Sequence, residues 1–397
     1  MLIAGEASGD LLAAELVSAL RDKLPDATFF GAGGAKMSAA GVELAFDLTQ
    51  HSVIGISDVL KNYFKFRRLF NQLFALAIER KPDVVIGVDY GGFNLRFGQA
   101  VKEYVRNNPF SKWDPKIIQF VSPQVWASRP GRANRLAADY DLLLSIFPFE
   151  KDWYAQRVPQ LRVEFVGHPM IGRFTNDDLR FTRGESEAGR SRGDETQTKK
   201  NIETSHVVSY EPKILLLPGS RKSELQRHLP VMLAALKMIQ EKLPSVKIKM
   251  VLPNQTLLQL AKSLGANVEI QIGELPWALA EADIAIASTG TVTMECAFFG
   301  VPTVTLYKTS WFTYEIAKRI VTVKSLTMPN LLAGEEIYPE FVQHDATPEN
   351  ISRAALELLQ DESRRTKIKS QLAKIISSLG EPGAAGRAAT AILSLFK

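Results

Sequence analysis

The chain has 397 residues, of which 46% are hydrophobic and 23% charged, which is an ordinary globular composition. At ~100–200 residues per domain, this length predicts about two domains. The formal net charge of +5 permits anionic partners such as nucleotides or acidic lipid surfaces, without requiring nucleic acid. The single cysteine, Cys296, excludes an internal disulfide framework and indicates a reducing compartment. No apolar run approaches the ~20 residues that a membrane span needs, and no signal peptide is visible.

In the first half of the chain, short apolar runs alternate with amphipathic helical stretches. The first run, at 2–4, precedes a helix that carries Leu12, Leu16 and Leu20 on one face. A second run ends at 29–30, and the glycine-rich residues 31–34 are expected to close it as a turn. Further buried strands are predicted at 84–88, 117–121, 142–147 and 163–166. Continuous apolar strands separated by helices indicate a parallel sheet covered on both faces.

The alternating pattern stops at 167–169 and resumes after a polar stretch. Residues 175–205 are charged and nearly free of aliphatic side chains, which is typical of a flexible loop. Strands are then predicted at 214–217, 246–251, 268–272, 284–287 and 304–307, and helices at 229–242, 347–361, 362–379 and 384–396. The predicted fold class is α/β, with two doubly wound Rossmann-like domains facing a central crevice. The domains are 1–170, a flexible polar linker at 171–206, 207–380, and a terminal helix at 381–397.

Two loops of the second domain carry groups that suit a phosphate. Gly219, Ser220 and Arg221 directly follow an apolar strand, and they offer a close backbone approach, a hydroxyl donor and a planar guanidinium. The alternative is a turn with a solvent-facing arginine. A second strand leads into Thr289, Gly290 and Thr291 at the start of a helix, where N–H groups and the helix dipole favour a diphosphate. Glu295, one turn inside that helix, could accept hydrogen bonds from ribose hydroxyls; the alternative is plain helix capping with a surface glutamate.

The first domain offers a carboxylate and a polar loop at the ends of its strands. Asp89 follows the strand 84–88 beside Gly91 and Gly92, where it could take a proton from a hydroxyl nucleophile. It could equally cap the helix that follows. The first strand-to-helix loop, GEASGD at 5–10, faces the same edge and is expected to contact a sugar or to cap its own helix. The residues expected on this acceptor side are Ser8, Gly9, Asp10 and Asn94.

Residues 61–74, KNYFKFRRLFNQLF, interleave cations with aromatic side chains. This pattern favours an amphipathic helix at an anionic lipid interface. The alternative is a core helix whose cations extend their charged ends to solvent. The predicted membrane contacts are Lys61, Phe64, Lys65, Phe66, Arg67, Arg68 and Phe70.

Several other functional classes are not indicated. The five histidines show no i, i+4 ligand pair, so no protein-bound metal is expected. The GAGGAK sequence at 31–36 lacks the third glycine of a dinucleotide fingerprint and follows the second strand, which argues against a dehydrogenase. Neither a P-loop nor a G-x-S-x-G elbow is present, and we expect no cofactor.

Taken together, the motifs resemble the lipid-A-disaccharide synthase family of GT-B glycosyltransferases, almost from end to end. The matching motifs are GEASGD (5–10), VIGISDVL (53–60), VSPQVWASR (121–129), FPFEK (147–151), VGHPM (166–170), LLPGSR (216–221), STGTVTMEC (288–296) and MPNLLAG (328–334). The resemblance implies inverting transfer of 2,3-diacylglucosamine from its UDP conjugate to 2,3-diacylglucosamine 1-phosphate. The product is the β-1,6-linked disaccharide 1-phosphate, with UDP released, at the inner face of the Gram-negative inner membrane.

The resemblance also implies roles for particular residues. Asp89 matches the family's essential carboxylate and becomes the expected general base, while Asn330 would complete the donor site. The sequence departs from the family at Gly91 and Gly92, where a Pro-Asp pair usually stands. Two rival functions remain open: another UDP-sugar enzyme of the same architecture, such as a UDP-GlcNAc epimerase, and a non-catalytic relative. The terminal helix leaves two packings open, against the first domain or against a second subunit of a homodimer.

Overall fold

The computed structural model describes residues 1–49, 63–173 and 211–396. Most of the predicted linker, the VIGISDVL motif and Lys61 lie outside the described residues. The chain divides into two compact units. Unit 1 comprises Met1–Arg173, Ala317–Thr322 and Ser378–Lys397, and unit 2 comprises Phe174–Ile316 and Val323–Ser377.

A parallel sheet forms the centre of unit 1. Its strands are β1 (Leu2–Ala4), β2 (Phe30–Gly33), β3 (Glu43–Asp47), β4 (Val84–Val88), β5 (Lys116–Phe120), β6 (Leu142–Ser145) and β7 (Val163–Phe165). Their order across the sheet is β3-β2-β1-β4-β5-β6-β7, so the chain winds outward in both directions from β1. In such sheets ligands bind beyond the carboxyl ends of the strands where the order reverses, here between β1 and β4.

Helices connect these strands and cover the two faces of the sheet. The first, α1, buries Leu12, Leu16 and Leu20, as the i, i+4 spacing predicts. The connecting helices of this unit are α1 (Ala7–Arg21), α2 (Ala35–Ala39), α3 (Tyr63–Arg80), α4 (Gly91–Asn107), α5 (Val125–Ser128), α6 (Arg132–Asp139) and α7 (Pro148–Ala155), with a 3-10 turn at Pro109–Ser111.

The glycine-rich residues after Phe30 form a strand rather than the expected turn. Strand β2 pairs in parallel with both β1 and β3. A Cβ atom on Gly31 would lie 1.8 Å from the main-chain oxygen of Leu2, so a side chain at this position would collide with β1. The prediction of a turn at 31–34 is therefore wrong, because Gly31 allows a close approach of two backbones and residues 30–33 continue the sheet.

Unit 2 repeats the same design. Its strands are β8 (Lys213–Leu217), β9 (Lys247–Leu252), β10 (Glu269–Ile272), β11 (Ile284–Ser288), β12 (Thr303–Tyr307) and β13 (Glu340–Val342), in the order β10-β9-β8-β11-β12-β13. All of the pairings are parallel, and the order reverses between β8 and β11. Strand β11 is buried along its whole length, as are the last four residues of β8.

The helices of unit 2 and the last helix of the chain complete the described structure. They are α8 (Lys222–Lys242), α9 (Gln255–Ser263), α10 (Leu275–Glu281), α11 (Val292–Phe298), α12 (Trp311–Ile320), α13 (Met328–Ala333), α14 (Pro348–Gln360), α15 (Glu362–Ser378) and α16 (Ala384–Leu393), followed by a 3-10 turn at Ser394–Phe396. The sheets and their helices confirm the predicted α/β class with two doubly wound, Rossmann-like folds.

Helix α16 belongs to unit 1 although it follows unit 2 in the sequence. It packs against α1, at the opposite end of the sequence. Arg387 donates a hydrogen bond of 2.8 Å to the main-chain oxygen of Val166, and His168 N donates one of 2.8 Å to Leu379 O. The first and last segments of the chain therefore share one core.

Candidate active site

The loop after β1 meets the loop after β4 at the point where the strand order of unit 1 reverses. The exposed Ser8 lies in the first turn of α1, and its side chain hydrogen-bonds to the carboxylate of Asp89. A Cβ atom on Gly9 would lie 3.2 Å from the main-chain oxygen of Val88, so glycine lets α1 start close to β4. The ring of Tyr90 covers Gly5, since a Cβ atom there would lie 2.3 Å from it. These contacts bring the two loops together, as the motifs predict.

The backbone at Asp89 is strained and firmly held. Asp89 and Tyr90 have φ angles of 51° and 47°, the left-handed region that non-glycine residues rarely adopt. Such a conformation costs about 1–3 kcal/mol per residue. Three hydrogen bonds fix it: Asp89 N donates to Phe120 O at 2.8 Å, and the side chains of Asn94 and Gln119 donate to Asp89 O at 2.8 and 2.9 Å. The strain fixes the direction in which the carboxylate leaves the end of β4.

The carboxylate of Asp89 suits proton transfer. Asp89 is half-buried, and burial raises the pKa of its carboxyl group. Hydrogen bonds from the main chain of Tyr90 and the side chain of Ser8 act in the opposite direction. A carboxylate with a raised pKa is a stronger base than one in free solution, and its contact with exposed Ser8 keeps it at the surface of the loop.

Two of the residues expected on the acceptor side hold the structure instead. Asp10 is 4% exposed, and its carboxylate accepts hydrogen bonds from the N–H groups of Gly34, Lys36 and Met37 at 2.7, 2.9 and 3.0 Å. It therefore caps α2 rather than its own helix. Asn94 is 2% exposed, and its side-chain amide donates a hydrogen bond to the main-chain oxygen of Asp89. Of the four predicted residues, Ser8 is the one whose side chain is both exposed and in contact with Asp89.

In unit 2, the loop after β8 presents Ser220 and Arg221 at the corresponding edge. Gly219 has a φ of 121°, and its position is crowded by the side chain of Glu224. Glu224 accepts hydrogen bonds from Ser220 N at 3.1 Å and from the Arg221 guanidinium at 3.0 Å. The Arg221 side chain remains 38% exposed, so this ion pair orients the guanidinium while leaving part of it open to solvent.

A buried histidine, which the sequence analysis did not single out, supports this loop. His228 is fully buried in α8, and its Nδ1 lies 2.9 Å from the main-chain oxygen of Pro218. Its Nε2 accepts a hydrogen bond of 3.0 Å from Lys308 N, so Nδ1 must carry the proton donated to Pro218. Burial lowers the pKa of His228, which keeps the ring neutral. The ring thereby joins the loop after β8 to the loop after β12.

The loop after β11 exposes its backbone beside the start of a short helix. Gly290 and Thr291 are exposed, and Gly290 has a φ of 143°. Thr289 N donates to Leu306 O at 3.1 Å, and the Thr293 hydroxyl donates to Gly290 O at 2.7 Å, which fixes the loop from both sides. Glu295 lies half-buried in the first turn of α11. Because β8 and β11 are neighbours, this loop and the loop of Arg221 follow adjacent strands.

Asn330 lies in the interior of unit 2. It is 1% exposed, and its amide nitrogen donates to Tyr338 O and Glu340 Oε1, both at 2.8 Å. Its oxygen accepts from the N–H groups of Ile337 and Tyr338 at 2.9 and 2.8 Å. These four bonds use the full capacity of the side chain. Asn330 therefore holds the segment leading to β13. Its amide group has no donor or acceptor left to bind a donor nucleotide.

Helix α3 carries the predicted membrane contacts on two different faces. Phe64 is 80% exposed, and Lys65, Arg67 and Arg68 are exposed beside it, whereas Phe66 is half-buried. Phe70 instead packs against Phe93 and Phe97 of α4, with ring centroids 5.4 and 5.5 Å apart. Phe70 is thus half-buried and packs on the aromatic core of unit 1, so we do not expect it to face lipid.

In the described part of the chain, no group of three or more His, Cys, Asp or Glu side chains could hold a metal ion. Among the same residues, no helix is long and apolar enough to cross a membrane.

Comparisons with known proteins agree with these features. Residues 1–393 match the lipid-A-disaccharide synthetase family. A lipid-A-disaccharide synthase of Trichlorobacter lovleyi is 35% identical over all of this chain and 97% of its own length. One from Myxococcus xanthus is 34% identical with the same coverage, and lipid-A-disaccharide synthase 1 of Legionella pneumophila is 33% identical over 96% of this chain and 92% of its own.

Solved structures share the two-sheet fold at lower identity. The S. aureus MnaA–UDP complex aligns with a TM-score of 0.61 and 12% identity, over 100% of this chain and 96% of that one. A kitacinnamycin glycotransferase aligns with a TM-score of 0.60 and 17% identity, over 100% and 98%. At such identities the likeness concerns the fold alone. The family match, the full-length relatives and the two doubly wound sheets lead to one conclusion: this chain belongs to the lipid-A-disaccharide synthase family.

Proposed function

We propose that this protein is an inverting glycosyltransferase that joins two acylated glucosamine units. It takes 2,3-diacylglucosamine from UDP-2,3-diacylglucosamine and transfers it to the 6-hydroxyl of 2,3-diacylglucosamine 1-phosphate. The products are the β-1,6-linked disaccharide 1-phosphate of lipid A and UDP. The full-length family match supports the overall reaction. The single structural observation that carries the mechanism is the strained, hydrogen-bonded Asp89 at the strand-order reversal of unit 1.

In the proposed mechanism, Asp89 is the general base. As the acceptor 6-hydroxyl attacks C1 of the donor sugar, its proton passes to the Asp89 carboxylate, and the bond between C1 and the diphosphate breaks. Attack on the face opposite the leaving group inverts the anomeric centre. Ser8, which hydrogen-bonds to Asp89 and is exposed, would orient the carboxylate and meet the acceptor. The position of Gly9 behind it brings the two loops close enough for this contact.

The leaving UDP develops negative charge that unit 2 is suited to stabilise. Ser220 and Arg221 would contact the diphosphate, with the guanidinium already oriented by Glu224. The exposed backbone at Gly290 and Thr291, at the start of α11, would donate N–H groups to the same phosphates, with Thr289 beside them. Glu295 would accept hydrogen bonds from the ribose.

We also propose that α3 rests on an anionic membrane surface, where both lipid substrates reside. The exposed Phe64 would enter the interface while Lys65, Arg67 and Arg68 contact acidic headgroups, and Phe66 would lie at the edge of this contact. This placement would make the protein peripheral on the inner face of the inner membrane. The packing of α16 on α1 supports a structural role within the subunit for the terminal helix.

The deciding experiment measures UDP release from UDP-2,3-diacylglucosamine in mixed micelles, with and without 2,3-diacylglucosamine 1-phosphate. We expect release that depends on the acceptor, together with a new disaccharide phosphate. Release without acceptor dependence would identify a hydrolase, and epimerised donor with no disaccharide would identify an epimerase. UDP binding without any turnover would support a non-catalytic relative.

A further inference from the structure

Glu150 is a buried carboxylic acid that the mechanism above does not use. It lies in the first turn of α7, just beyond the carboxyl end of β6, and is 1% exposed. Burying a carboxyl group is costly unless hydrogen bonds compensate for the lost water. Its partners therefore show what keeps it in place.

Those partners come from two different loops. Phe147 N, at the start of α7, donates to Oε2 at 3.3 Å, which is an ordinary helix-capping contact. The indole Nε1 of Trp126, in α5, donates to Oε1 at 3.0 Å. The Ser122 hydroxyl and the main chain of Ile146 lie beside the carboxyl and act to lower its pKa. Capping accounts for the contact with Phe147 but not for those with Ser122 and Trp126, which belong to the loop after β5.

The loop after β5 in turn lies against the Asp89 turn. A Cβ atom on Gly91 would lie 2.8 Å from the Cβ of Pro123, so Pro123 packs directly on the residue that begins α4. The Gln119 amide donates to Asp89 O at 2.9 Å and to Val121 O at 3.2 Å, which joins the two backbones. A continuous set of contacts therefore runs from Glu150 through Ser122 and Pro123 to the candidate base.

We propose that Glu150 is a positioning residue for the glycosyl transfer: its carboxylate holds the loop 121–129 in the conformation that aligns Asp89. The kinetic part of this proposal rests on the proposed function, because it needs a reaction in which Asp89 is the base. The structural part does not, because it concerns hydrogen bonds that can be observed without substrate.

The hydrogen-bond chemistry makes this contact sensitive to protonation. The Trp126 indole and the main-chain N–H groups can only donate, so a protonated Glu150 can donate its own hydrogen only to Ser122 Oγ. That would change the contact with Ser122, whose Oγ lies 3.0 Å from the Tyr154 hydroxyl and 3.4 Å from Pro123 O. Protonation of Glu150 would thus rearrange the loop at the point where it meets Gly91.

Glu150 should gain or lose its proton near neutral pH. Burial raises the pKa of Glu150 to about 7, against the lowering effect of its hydrogen bonds, and no charged side chain contributes among the described residues. Among the described residues, Tyr154 is the titratable group coupled to Glu150, and His168 lies beyond Phe147. Burial raises the pKa of Tyr154, and burial lowers the pKa of His168, which packs on Phe147 with ring centroids 5.5 Å apart, to about 4. Both are neutral near pH 7, so Glu150 is the group that titrates here.

The kinetic test compares the pH dependence of kcat in the wild type, Glu150→Gln and Glu164→Gln. Because glutamine resembles the protonated acid, kcat of the wild type should fall towards that of Glu150→Gln below pH 7, in addition to the loss that both share as Asp89 gains a proton. Glu150→Gln should show a kcat reduced about tenfold at pH 8, with UDP affinity unchanged. The matched control, Glu164→Gln, removes a carboxylate of β7 that pairs with Lys151 at 3.2 Å, and should keep the wild-type profile. A ratio of kcat between wild type and Glu150→Gln that stays constant from pH 5 to pH 8 would overturn the proposal.

A substrate-free test keeps the proposal decidable if the chain proves to have another activity. In NMR spectra of the full chain, the indole N–H resonance of Trp126, assigned with Trp126→Phe, should shift with a midpoint near pH 7. In Glu150→Gln the same resonance should not titrate. If the resonance is independent of pH in the wild type, Glu150 does not act through this loop. Loss of activity that only follows a lowered Tm, at all pH values alike, would mean that Glu150 merely supports the fold.

Discussion

Asn94 donates a hydrogen bond of 2.8 Å to the main-chain oxygen of Asp89, five residues before it, and so holds the strained turn from inside the unit. The Asn94 oxygen, like that of Gln119, is buried and has no hydrogen-bond partner among the residues that the structure describes. An unmet acceptor of this kind costs stability. The two unsatisfied amide oxygens thus lower the stability of the fold, while the amide nitrogens of the same side chains hold the backbone of Asp89 in place.

Replacing Asn94 by alanine should lower the activity while it changes the stability of the fold only slightly. We expect kcat to fall about tenfold, because the Asp89 turn loses one of its two side-chain supports. The net change in the free energy of unfolding should stay within about 1–2 kcal/mol, because a donor is lost together with an unsatisfied acceptor. Steady-state kinetics and chemical denaturation of the same preparation measure both quantities. A kcat equal to that of the wild type would remove Asn94 from the support of the site.

Asp89→Asn should abolish turnover while it preserves UDP affinity. Removing a general base costs about 10²–10⁴-fold in rate, and the donor loops lie in unit 2. Isothermal titration with UDP and the UDP-release assay measure the two effects. Asp114→Asn, which changes a carboxylate whose side chain is 69% exposed, is the matched control. Turnover retained in Asp89→Asn would exclude Asp89 as the base.

The same variant should be more heat-stable than the wild type at alkaline pH. Burial raises the pKa of Asp89 above its ordinary value, so the protonated form is favoured in the folded state. The stability linked to this group is present below the unfolded pKa and is lost as the pH rises through the folded pKa. An amide cannot ionise and avoids that loss. Thermal melts at pH 4 and pH 8 should show a gain in Tm for Asp89→Asn at pH 8 only, and an equal or lower Tm there would contradict this account.

Ser8→Ala should shift the acid limb of the activity profile to higher pH. The Ser8 hydrogen bond lowers the pKa of Asp89, so its removal lets burial raise that pKa further. The fraction of ionised base then falls at a given acidic pH. The pH dependence of kcat/KM measures the shift, and a shift towards lower pH would show that Ser8 does not stabilise the carboxylate.

Arg221→Ala should weaken UDP binding, with a loss of about tenfold to a hundredfold, the range for a hydrogen bond between charged groups. Arg227→Ala, on the exposed side of the same helix, should leave it unchanged. Direct titration with UDP separates binding from chemistry. Equal affinities for the two variants would mean that the loop after β8 does not hold the diphosphate.

On α3, Phe64→Ser and Phe70→Ser should have different effects. The first removes an exposed ring, so sedimentation with anionic vesicles should fall while Tm stays constant. The second removes a half-buried ring that packs on Phe74, Phe93 and Phe97, so Tm should fall, by less than the ~3–5 kcal/mol that truncation of a fully buried Phe costs. Phe110→Ser, at a ring that is 97% exposed before β5, is the control for loss of an apolar surface group. Vesicle binding unchanged in Phe64→Ser would exclude this face of α3 as the lipid contact.

Much of the fold was accessible from the sequence because most strands are continuous apolar runs. Buried parallel strands such as Val84–Val88 and Ile284–Ser288 carry that pattern clearly. The edge strands Glu43–Asp47 and Glu340–Val342 do not, since they are short, partly exposed and mixed in composition. The strand at Gly31 escaped prediction because only the neighbouring backbone of Leu2 explains its glycines.

The sequence was sufficient to predict those site residues that act from the end of a strand, such as Asp89 and Arg221. It was not sufficient to predict side chains that support a different helix or loop from the one they belong to. Asp10 is three residues from the start of its own helix, yet it caps a helix 24 residues further on. His228 and Glu150 join loops that are distant in sequence, and a lone histidine or glutamate on a helix gives no signal of this. Such roles depend on tertiary contacts, which local patterns do not encode.

The packing of α16 against α1 has a consequence for how the protein is made. Helix α1 leaves the ribosome early, but α16, which packs against one side of it, leaves only after the whole of unit 2. At ~5–20 residues per second, that side waits on the order of tens of seconds for its partner. Throughout this interval the nascent chain displays an uncovered hydrophobic surface, which is the kind of surface that chaperones bind. The yield of folded protein should therefore depend on chaperone supply during translation.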